Sequence, residues 1–437
     1  MDRPGRKRVV SVVSSFPALS ETFVVSRVLG LLERGWDVHV VCGESKAAEW
    51  ARFPELHQRG DLRRRVHVVW PHRPRWLALL LIPAALARCL IKSLRGTLRY
   101  LHWGSRQLGV EILRRLYLDA ELLALKPALI HFEFGSLARD RMHLRELMGC
   151  KVVASFRGYD LNQIGLDDGR YYEEVWFKAD ALHFLGLDLR HRAQRRGCPA
   201  DRFHRLIPPA IDTQFFNPRE RAHVAVTGTG KRPLLILSVG RLEWKKGYEY
   251  ALQAIRLLHE RGVSAKYRIV GEGAGQQAVA FARHDLGLED RVELLGGRTR
   301  NEVREQMAWA DVFLHAAVSE GFCNAVLEAQ AMMLPVVCSD AGGLSENVAH
   351  GETGFVVPRR DPGALAEKLA VLAADPPLRE RMARAGRERV LTRFQLPRQI
   401  SAFEELYHTV LAGEGQPVRG TVCQAGLETP VSVVERR

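Results

Sequence analysis

The sequence has few cysteines, and they do not occur at the spacings that usually build a metal site. Its 437 residues include seven cysteines, with no CxxC pair and no regular interval between them. A disulfide framework or a zinc site is therefore not expected, and a reducing cytoplasm is the simplest environment for the chain.

The sequence also lacks a recognisable secretory leader and a long uninterrupted apolar run. Basic residues at positions 3, 6, 7 and 8 precede only a short apolar segment, 9–13, which is too short for the core of a signal peptide. We expect no stretch of transmembrane length. The hydrophobic fraction of 46% and the charged fraction of 26% are ordinary for α/β proteins, and the length predicts two or more domains.

Acidic residues are absent from one long stretch of the first half. Residues 62–110 contain ten Lys and Arg and no Asp or Glu. Residues 1–213 carry 35 basic against 23 acidic residues, an excess of 12, whereas the remainder carries 29 against 27, an excess of 2. The charge is therefore concentrated in the first half.

About a dozen apolar residues, 76–87, lie inside this basic stretch and are followed by spaced arginines with Tyr100 and Trp103. Basic residues beside Trp and Leu suit a helix that lies in an anionic membrane interface. The alternative is a helical hairpin packed within the domain, with solvated arginines. Nucleic-acid binding is not expected, because aliphatic residues interrupt the basic ones and no recognised module appears.

The segment 319–328, S-E-G-F-C-N-A-V-L-E, connects a predicted strand to a predicted Ala-rich helix. Gly321 lets the backbone turn sharply and approach a ligand, and Asn324 is a candidate N-cap. The amides at the helix start would then form an anion site; they belong to Phe322, Cys323 and Asn324.

Two carboxylates flank this predicted anion site. Glu320 lies in the loop and Glu328 lies near the second turn of the helix. Carboxylates accept paired hydrogen bonds, which suits the vicinal hydroxyls of a sugar or ribose. The alternative is that both are solvated surface residues, because two Glu eight residues apart are common.

A second loop supplies cations. The apolar run 234–239 predicts a strand, and the loop that leaves it contains Gly240, Arg241 and Lys246. Open α/β sheets bind ligands at this end of their strands. Arg offers a planar fork to phosphate oxygens and Lys offers a point charge, although an isolated basic pair is more often surface charge.

Together, Gly-Arg-x4-Lys-Gly and Glu-Gly-Phe-x5-Glu resemble the two signature segments of retaining GT-B glycosyltransferases of the large family 4 group, the glycosyl transferases group 1. The resemblance covers nearly all of residues 233–390. The segment 16–23, F-P-A-L-S-E-T-F, is similar to the N-terminal loop of members that build bacterial surface polysaccharides.

The resemblance implies an α/β GT-B fold, in which two Rossmann-like domains face a central cleft. The expected divisions are an N-terminal acceptor-binding domain at 1–213, a linker at 214–232, a nucleotide-sugar-binding domain at 233–393, a helix crossing back to the first domain at 394–412, and a mobile tail at 413–437.

The resemblance also implies an activity, which is transfer of a sugar from a nucleoside-diphosphate sugar to a saccharide acceptor, with retention and without a metal or other cofactor. Arg241 and Lys246 would hold the diphosphate, Glu320 would contact the donor sugar, and Glu328 would bind the ribose hydroxyls. The donor site would be completed by Gly240, Gly321, Phe322, Cys323 and Asn324. The basic, apolar surface of 62–110 favours a lipid-linked or membrane-presented acceptor and a peripheral position on the inner face of the cytoplasmic membrane.

In the first domain, Ser20 and Glu21 would lie near the donor phosphates and acceptor, although a helix N-cap and a first-turn acid would explain both. Many members carry His-Gly-x-Asp where this chain has Arg157 and Asp160. Because Arg stays protonated, we expect a positioning role for both residues and no acid or base role. His131, at a strand end, is a further candidate, with a structural histidine as the alternative.

Two other functions remain open from the sequence. A GT-B sugar-nucleotide epimerase would release nucleotide without an acceptor. A protein that binds nucleotide sugar but has lost transfer is suggested by Arg157.

Overall fold

The structure is a computed structural model of the chain, and it describes residues 7–18, 21–53, 56, 60–70, 74–218 and 232–414. Most of the predicted linker, 219–231, and most of the predicted tail, 415–437, lie outside the described residues. The strands are β1 Arg8–Ser15, β2 Asp37–Glu44, β3 Val66–Val68, β4 Leu129–Phe132, β5 Lys151–Phe156, β6 Ala181–Phe184, β7 His204–Leu206, β8 Leu234–Val239, β9 Ala265–Val270, β10 Val292–Gly296, β11 Val312–His315, β12 Val336–Ser339 and β13 Gly354–Val357.

The α-helices of the described residues alternate with these strands. They are α1 Thr22–Glu33, α2 Ala47–Ala51, α3 Arg75–Gln107, α4 Glu111–Leu125, α5 Gly135–Ala138, α6 His143–Met148, α7 Gly158–Asn162, α8 Glu173–Lys178, α9 Leu187–Arg195, α10 Tyr248–Glu260, α11 Gln276–Asp285, α12 Arg300–Trp309, α13 Asn324–Ala331, α14 Leu344–Asn347, α15 Pro362–Ala374, α16 Pro376–Arg393 and α17 Leu396–Ala412.

The strands form two sheets in which all pairs are parallel. One has the order β3-β2-β1-β4-β5-β6-β7 and the other β10-β9-β8-β11-β12-β13. Strand β1 illustrates how the first sheet is covered on both faces. Val9 and Val13 pack into an apolar cluster on one face, whereas Val10 and Val12 pack into a second cluster on the other. The predicted α/β fold with two Rossmann-like domains is confirmed.

Helix α3 packs on α4 as a hairpin. Its inner face buries Ala85, Cys89 and Tyr100, and its backbone departs from helical geometry at Ser93. Within the described residues, Trp76–Gln107 is long and apolar enough to cross a membrane by length and composition. The expectation that no stretch reaches that length was wrong, because the apolar residues continue between the basic ones beyond residue 87.

Helix α17 returns from the second half of the chain to the first sheet. Ile400 packs against Gly30 of α1 so closely that a Cβ there would lie 2.0 Å from Cδ1 of Ile400. Arg34 donates to Ser401 Oγ over 2.8 Å. The two segments that connect the halves of the chain also meet. The Ile211 amide in the first segment donates a hydrogen bond to the Phe394 carbonyl in the second, over 2.8 Å.

Candidate active site

A cavity of about 450 Å³ lies between the carboxyl ends of the two sheets, where open α/β folds bind ligands. Both domains contribute to its wall. The predicted site residues that line it are Glu21, Arg157, Arg241, Glu320, Gly321, Phe322 and Asn324.

Lys246 and Glu320 form a largely buried ion pair at the second domain's side of the site. Lys246 Nζ lies 2.5 Å from Oε2 of Glu320, and the side chains are 13% and 14% exposed. Burial disfavours both charges, but the mutual attraction outweighs it. The pKa of Lys246 is therefore raised, and the pKa of Glu320 is held well below its usual range.

Arg241 lies on the same wall but is oriented by a different acid. Its Nη1 atom pairs with Oε1 of Glu243 over 2.8 Å, and 63% of its side chain is exposed. The Gly240 carbonyl accepts a hydrogen bond from the Tyr248 hydroxyl over 2.8 Å, which fixes the start of the loop. The guanidinium of Arg241 therefore stands where an incoming anion can reach it.

The start of α13 differs from the prediction. The helix begins at Asn324 with Cys323 in the N-cap position and no side-chain cap, so the prediction of Asn324 as N-cap was wrong. The Cys323 amide is also not free for an anion, because it donates to Oδ1 of Asn347 over 3.1 Å. Asn347 Nδ2 donates a hydrogen bond to the Cys323 carbonyl, so the Asn347 side chain binds both backbone polar groups of Cys323.

Glu328 does not line the cavity. It lies in the second turn of α13, half-buried, and its carboxylate has no hydrogen bond or ion pair with any residue the structure describes. Burial raises the pKa of Glu328 to about 7, and Arg300 offsets only part of this.

On the opposite wall, Arg157 is held by the first domain. Its Nε donates to the Glu133 carbonyl over 3.1 Å, and its guanidinium lies 3.7 Å from the centre of the Phe23 ring. Burial, followed by repulsion from Arg27, lowers the pKa of Arg157 to about 9. Arg157 therefore presents a fixed cation rather than a titrating group at neutral pH.

Two predicted sugar-positioning residues lie in the core instead. Asp160 is fully buried and accepts from the amides of Ser136 and Arg157, so it fixes backbone rather than ligand. His131 is also fully buried and is bonded to the Tyr407 hydroxyl and Ser155 Oγ. Neither lines the cavity, and the structural alternative holds for His131.

Glu21 lies at the cavity wall as expected, whereas Ser20 falls outside the described residues. One carboxylate oxygen of Glu21 is buried and has no hydrogen-bond partner among the described residues. Burial raises the pKa of Glu21, although Arg157 opposes the shift. An unsatisfied oxygen facing a cavity is suited to a ligand hydroxyl.

Several wall residues were not anticipated from the sequence. Arg27 is 1% exposed and pairs with the fully buried Glu133, which also accepts from Ser11 Oγ over 2.8 Å. The sequence signal that could have identified Arg27 is its position as a single arginine on the otherwise apolar face of α1. His183 also reaches the cavity, and burial lowers its pKa to about 3.

The two parallel sheets with a cavity between their carboxyl ends are the arrangement of the GT-B fold. The family model for glycosyl transferases group 1 matches residues 220–389. The chain is 30% identical over 381 residues to the amylovoran biosynthesis glycosyltransferase AmsK of Erwinia amylovora, covering 82% of this chain and 88% of that protein. It is 29% identical over 382 residues to the putative colanic acid biosynthesis glycosyltransferase WcaL of Escherichia coli, with the same coverage.

Among solved structures, Anabaena HepE in complexes with UDP and with UDP-glucose matches with a TM-score of 0.68 at 16% identity, covering 92% of this chain and 100% of that one. This likeness supports the fold. The chain belongs to the glycosyl transferases group 1 family.

Proposed function

We propose that the protein transfers a sugar, with retention, from a nucleoside-diphosphate sugar to a saccharide acceptor, and that transfer needs no metal ion. The observation that carries the proposal is the buried Lys246–Glu320 pair beside Arg241. Two cations can neutralise the leaving diphosphate, and the acid can hold a hydroxyl of the donor sugar. The complexes of HepE with UDP and UDP-glucose provide a precedent for the donor.

The remaining roles follow from the family resemblance together with the environment of each side chain. Glu328 would bind the ribose hydroxyls, since its carboxylate is otherwise without a partner. Glu21 and Arg157, on the first-domain wall, would position the acceptor and the transferred sugar. The names of AmsK and WcaL favour a place in the biosynthesis of a surface polysaccharide.

The outer face of α3 supports an acceptor presented at a membrane. Apolar side chains such as Ile91, 82% exposed, and Leu80, 69% exposed, alternate with exposed Lys92, Arg95 and Arg99. An exposed apolar surface with only basic charge suits an anionic lipid interface. The protein would then act peripherally on the inner face of the cytoplasmic membrane.

The test is transfer from a panel of nucleotide sugars to saccharide and lipid-linked acceptors, with the anomeric configuration of the product determined by NMR. Lys246→Ala and Glu320→Gln should each lower kcat about 100-fold, which corresponds to about 3 kcal/mol of lost transition-state stabilisation. The matched control is Lys266→Ala, an exposed lysine on β9. Unchanged turnover in both site variants, an inverted product, or a requirement for added metal would contradict the proposal.

A further inference from the structure

Three different metal-ligating side chains meet in the second domain, and one of them, Glu320, lines the cavity. His315 ends β11, Glu320 lies in the following loop and Cys323 precedes α13. His315 and Cys323 are 3% and 4% exposed. The Nε2 atom of His315 lies 3.4 Å from Glu320 Oε2 and 3.5 Å from Cys323 Sγ, and the three atoms lie within 4.8 Å of one another.

These distances match the edges of a zinc coordination tetrahedron. Zinc binds nitrogen and carboxylate oxygen at roughly 2.0–2.2 Å and sulfur at about 2.3 Å. Tetrahedral angles then separate a nitrogen from an oxygen by about 3.4 Å and from a sulfur by about 3.6 Å. Two of the three ligand–ligand distances therefore already suit one ion, and the third is no longer than 4.8 Å.

We propose that His315, Glu320 and Cys323 form a binding site for a divalent ion of the zinc class. A thiolate and an imidazole favour such ions over Mg²⁺ and Ca²⁺, which prefer oxygen ligands. The two hydrogen bonds between Asn347 and the Cys323 backbone hold the thiol in place.

The alternative for this cluster is an ion-pair network that needs no metal. Burial disfavours a charged imidazole, but Cys323 and then Glu320 outweigh it and raise the pKa of His315 to about 9. The contacts of His315 with Glu320 and Cys323 then hold the cluster together without an ion.

The site has a consequence for the proposed function, on which this step rests. Lys246 Nζ lies 2.5 Å from the same Glu320 oxygen that would bind the ion. The ammonium group and a divalent cation cannot both hold that oxygen, because their charges repel. A bound ion should therefore displace Lys246 from its position and inhibit donor binding.

The direct test is titration of the full-length protein with Co²⁺, followed by absorption spectroscopy. We expect a thiolate-to-cobalt charge-transfer band that saturates at one ion per chain and disappears when Zn²⁺ is added. Cys323→Ser should abolish the band, and His315→Ala should weaken Co²⁺ binding about 100-fold. Cys338→Ser, which removes a buried thiol on β12, should leave the band unchanged.

A second variant tests the competition and does not remove a ligand. Lys246→Ala should bind Co²⁺ at least about tenfold more tightly, because Glu320 is then free of its ammonium partner. Absence of the band in the wild-type protein, its persistence in Cys323→Ser, or unchanged affinity in Lys246→Ala would overturn the inference. The spectroscopic readout requires no glycosyl transfer, so failure of the proposed function would be detected separately.

Discussion

If Glu328 binds the ribose as proposed, nucleotide binding should change the protonation of its carboxyl group. Burial raises the pKa of this group to about 7, close to neutral pH. Two vicinal hydroxyls donate to a carboxylate only if both of its oxygens are free to accept, which requires the ionised form. Ribose binding should therefore lower the pKa of Glu328 and release a proton.

We predict that UDP, as a probe of the donor site, binds with an affinity that is constant above pH 7 and falls up to about tenfold for each pH unit below it. Calorimetry in two buffers with different ionisation enthalpies measures the proton release. Glu328→Gln should bind more weakly at pH 8 and lose the pH dependence. Equal proton release in that variant would assign the titration to another group.

The residues that could be predicted from the sequence are those whose environment is local. Arg241 and Glu320 follow strand ends within a few positions and line the cavity, and Lys246 pairs with Glu320 from behind the lining residues. The prediction for Cys323 failed because its partner, Asn347, comes from a separate helix. His131 was misassigned for the same reason, because it is held by Tyr407 from the far end of the chain.

At the scale of single elements, α3 departs most from what its sequence suggested. The apolar run was expected to end near residue 87, but the helix continues to Gln107 through Arg88, Lys92 and Arg95. The basic side chains did not end it, because Lys92 and Arg95 project into solvent and Arg88 pairs with Glu121 of α4 over 2.9 Å, while Cys89 and Tyr100 stay buried on the inner face. The same helix therefore packs on α4 through its inner face and carries, on its outer face, the apolar and basic side chains for which a membrane role is proposed.

We predict that the protein sediments with anionic vesicles at low salt and less so at high salt. Replacing Lys92, Arg95 and Arg99 together by Gln should weaken this binding about 100-fold, since each basic residue near the surface contributes about 1 kcal/mol. The matched control replaces three exposed arginines of the second domain by Gln; they are Arg360, Arg381 and Arg393. Equal loss in both triple variants would indicate a nonspecific charge effect.

At the scale of the whole molecule, two contacts described here connect the domains across the cleft. Gly158 faces Gly321 so closely that a Cβ on Gly321 would lie 2.8 Å from the Gly158 backbone. Farther along, the carboxylate of Glu346 accepts from the amides of Leu187 and Asp188, over 2.8 and 2.9 Å. An acid of one domain thus caps a helix of the other, which stabilises the closed arrangement, meaning the one in which both of these contacts are formed.

Glu346→Ala should therefore favour an open arrangement. Loss of the two charged hydrogen bonds, at about 2 kcal/mol net, would raise the ratio of open to closed molecules about 30-fold. Small-angle scattering should show a larger radius of gyration than for the wild type, and saturating donor should reduce the difference. Glu352→Ala, at an exposed position nearby, is the control. Scattering curves that coincide for all three proteins would show that this contact does not determine closure.

At this scale, the fold of each domain could be predicted from the sequence, whereas the contacts between the domains could not. Both Rossmann-like sheets could be predicted, because each alternates strand and helix locally. The facing glycines could not, because each is close to the other only after the domains have met.

The return of α17 to the first sheet makes each half of the polypeptide dependent on the other. A protease that nicks the chain between 219 and 231 would not liberate two fragments, because the C-terminal piece would still be anchored through Ile400, Phe403 and Tyr407 in the apolar interior of its neighbour. An N-terminal fragment that ends at residue 218 would lack α17, so the apolar residues that α17 covers would be exposed and the fragment would tend to aggregate. The two domains are thus built on separate sheets, and α17, the last helix of the described residues, joins them.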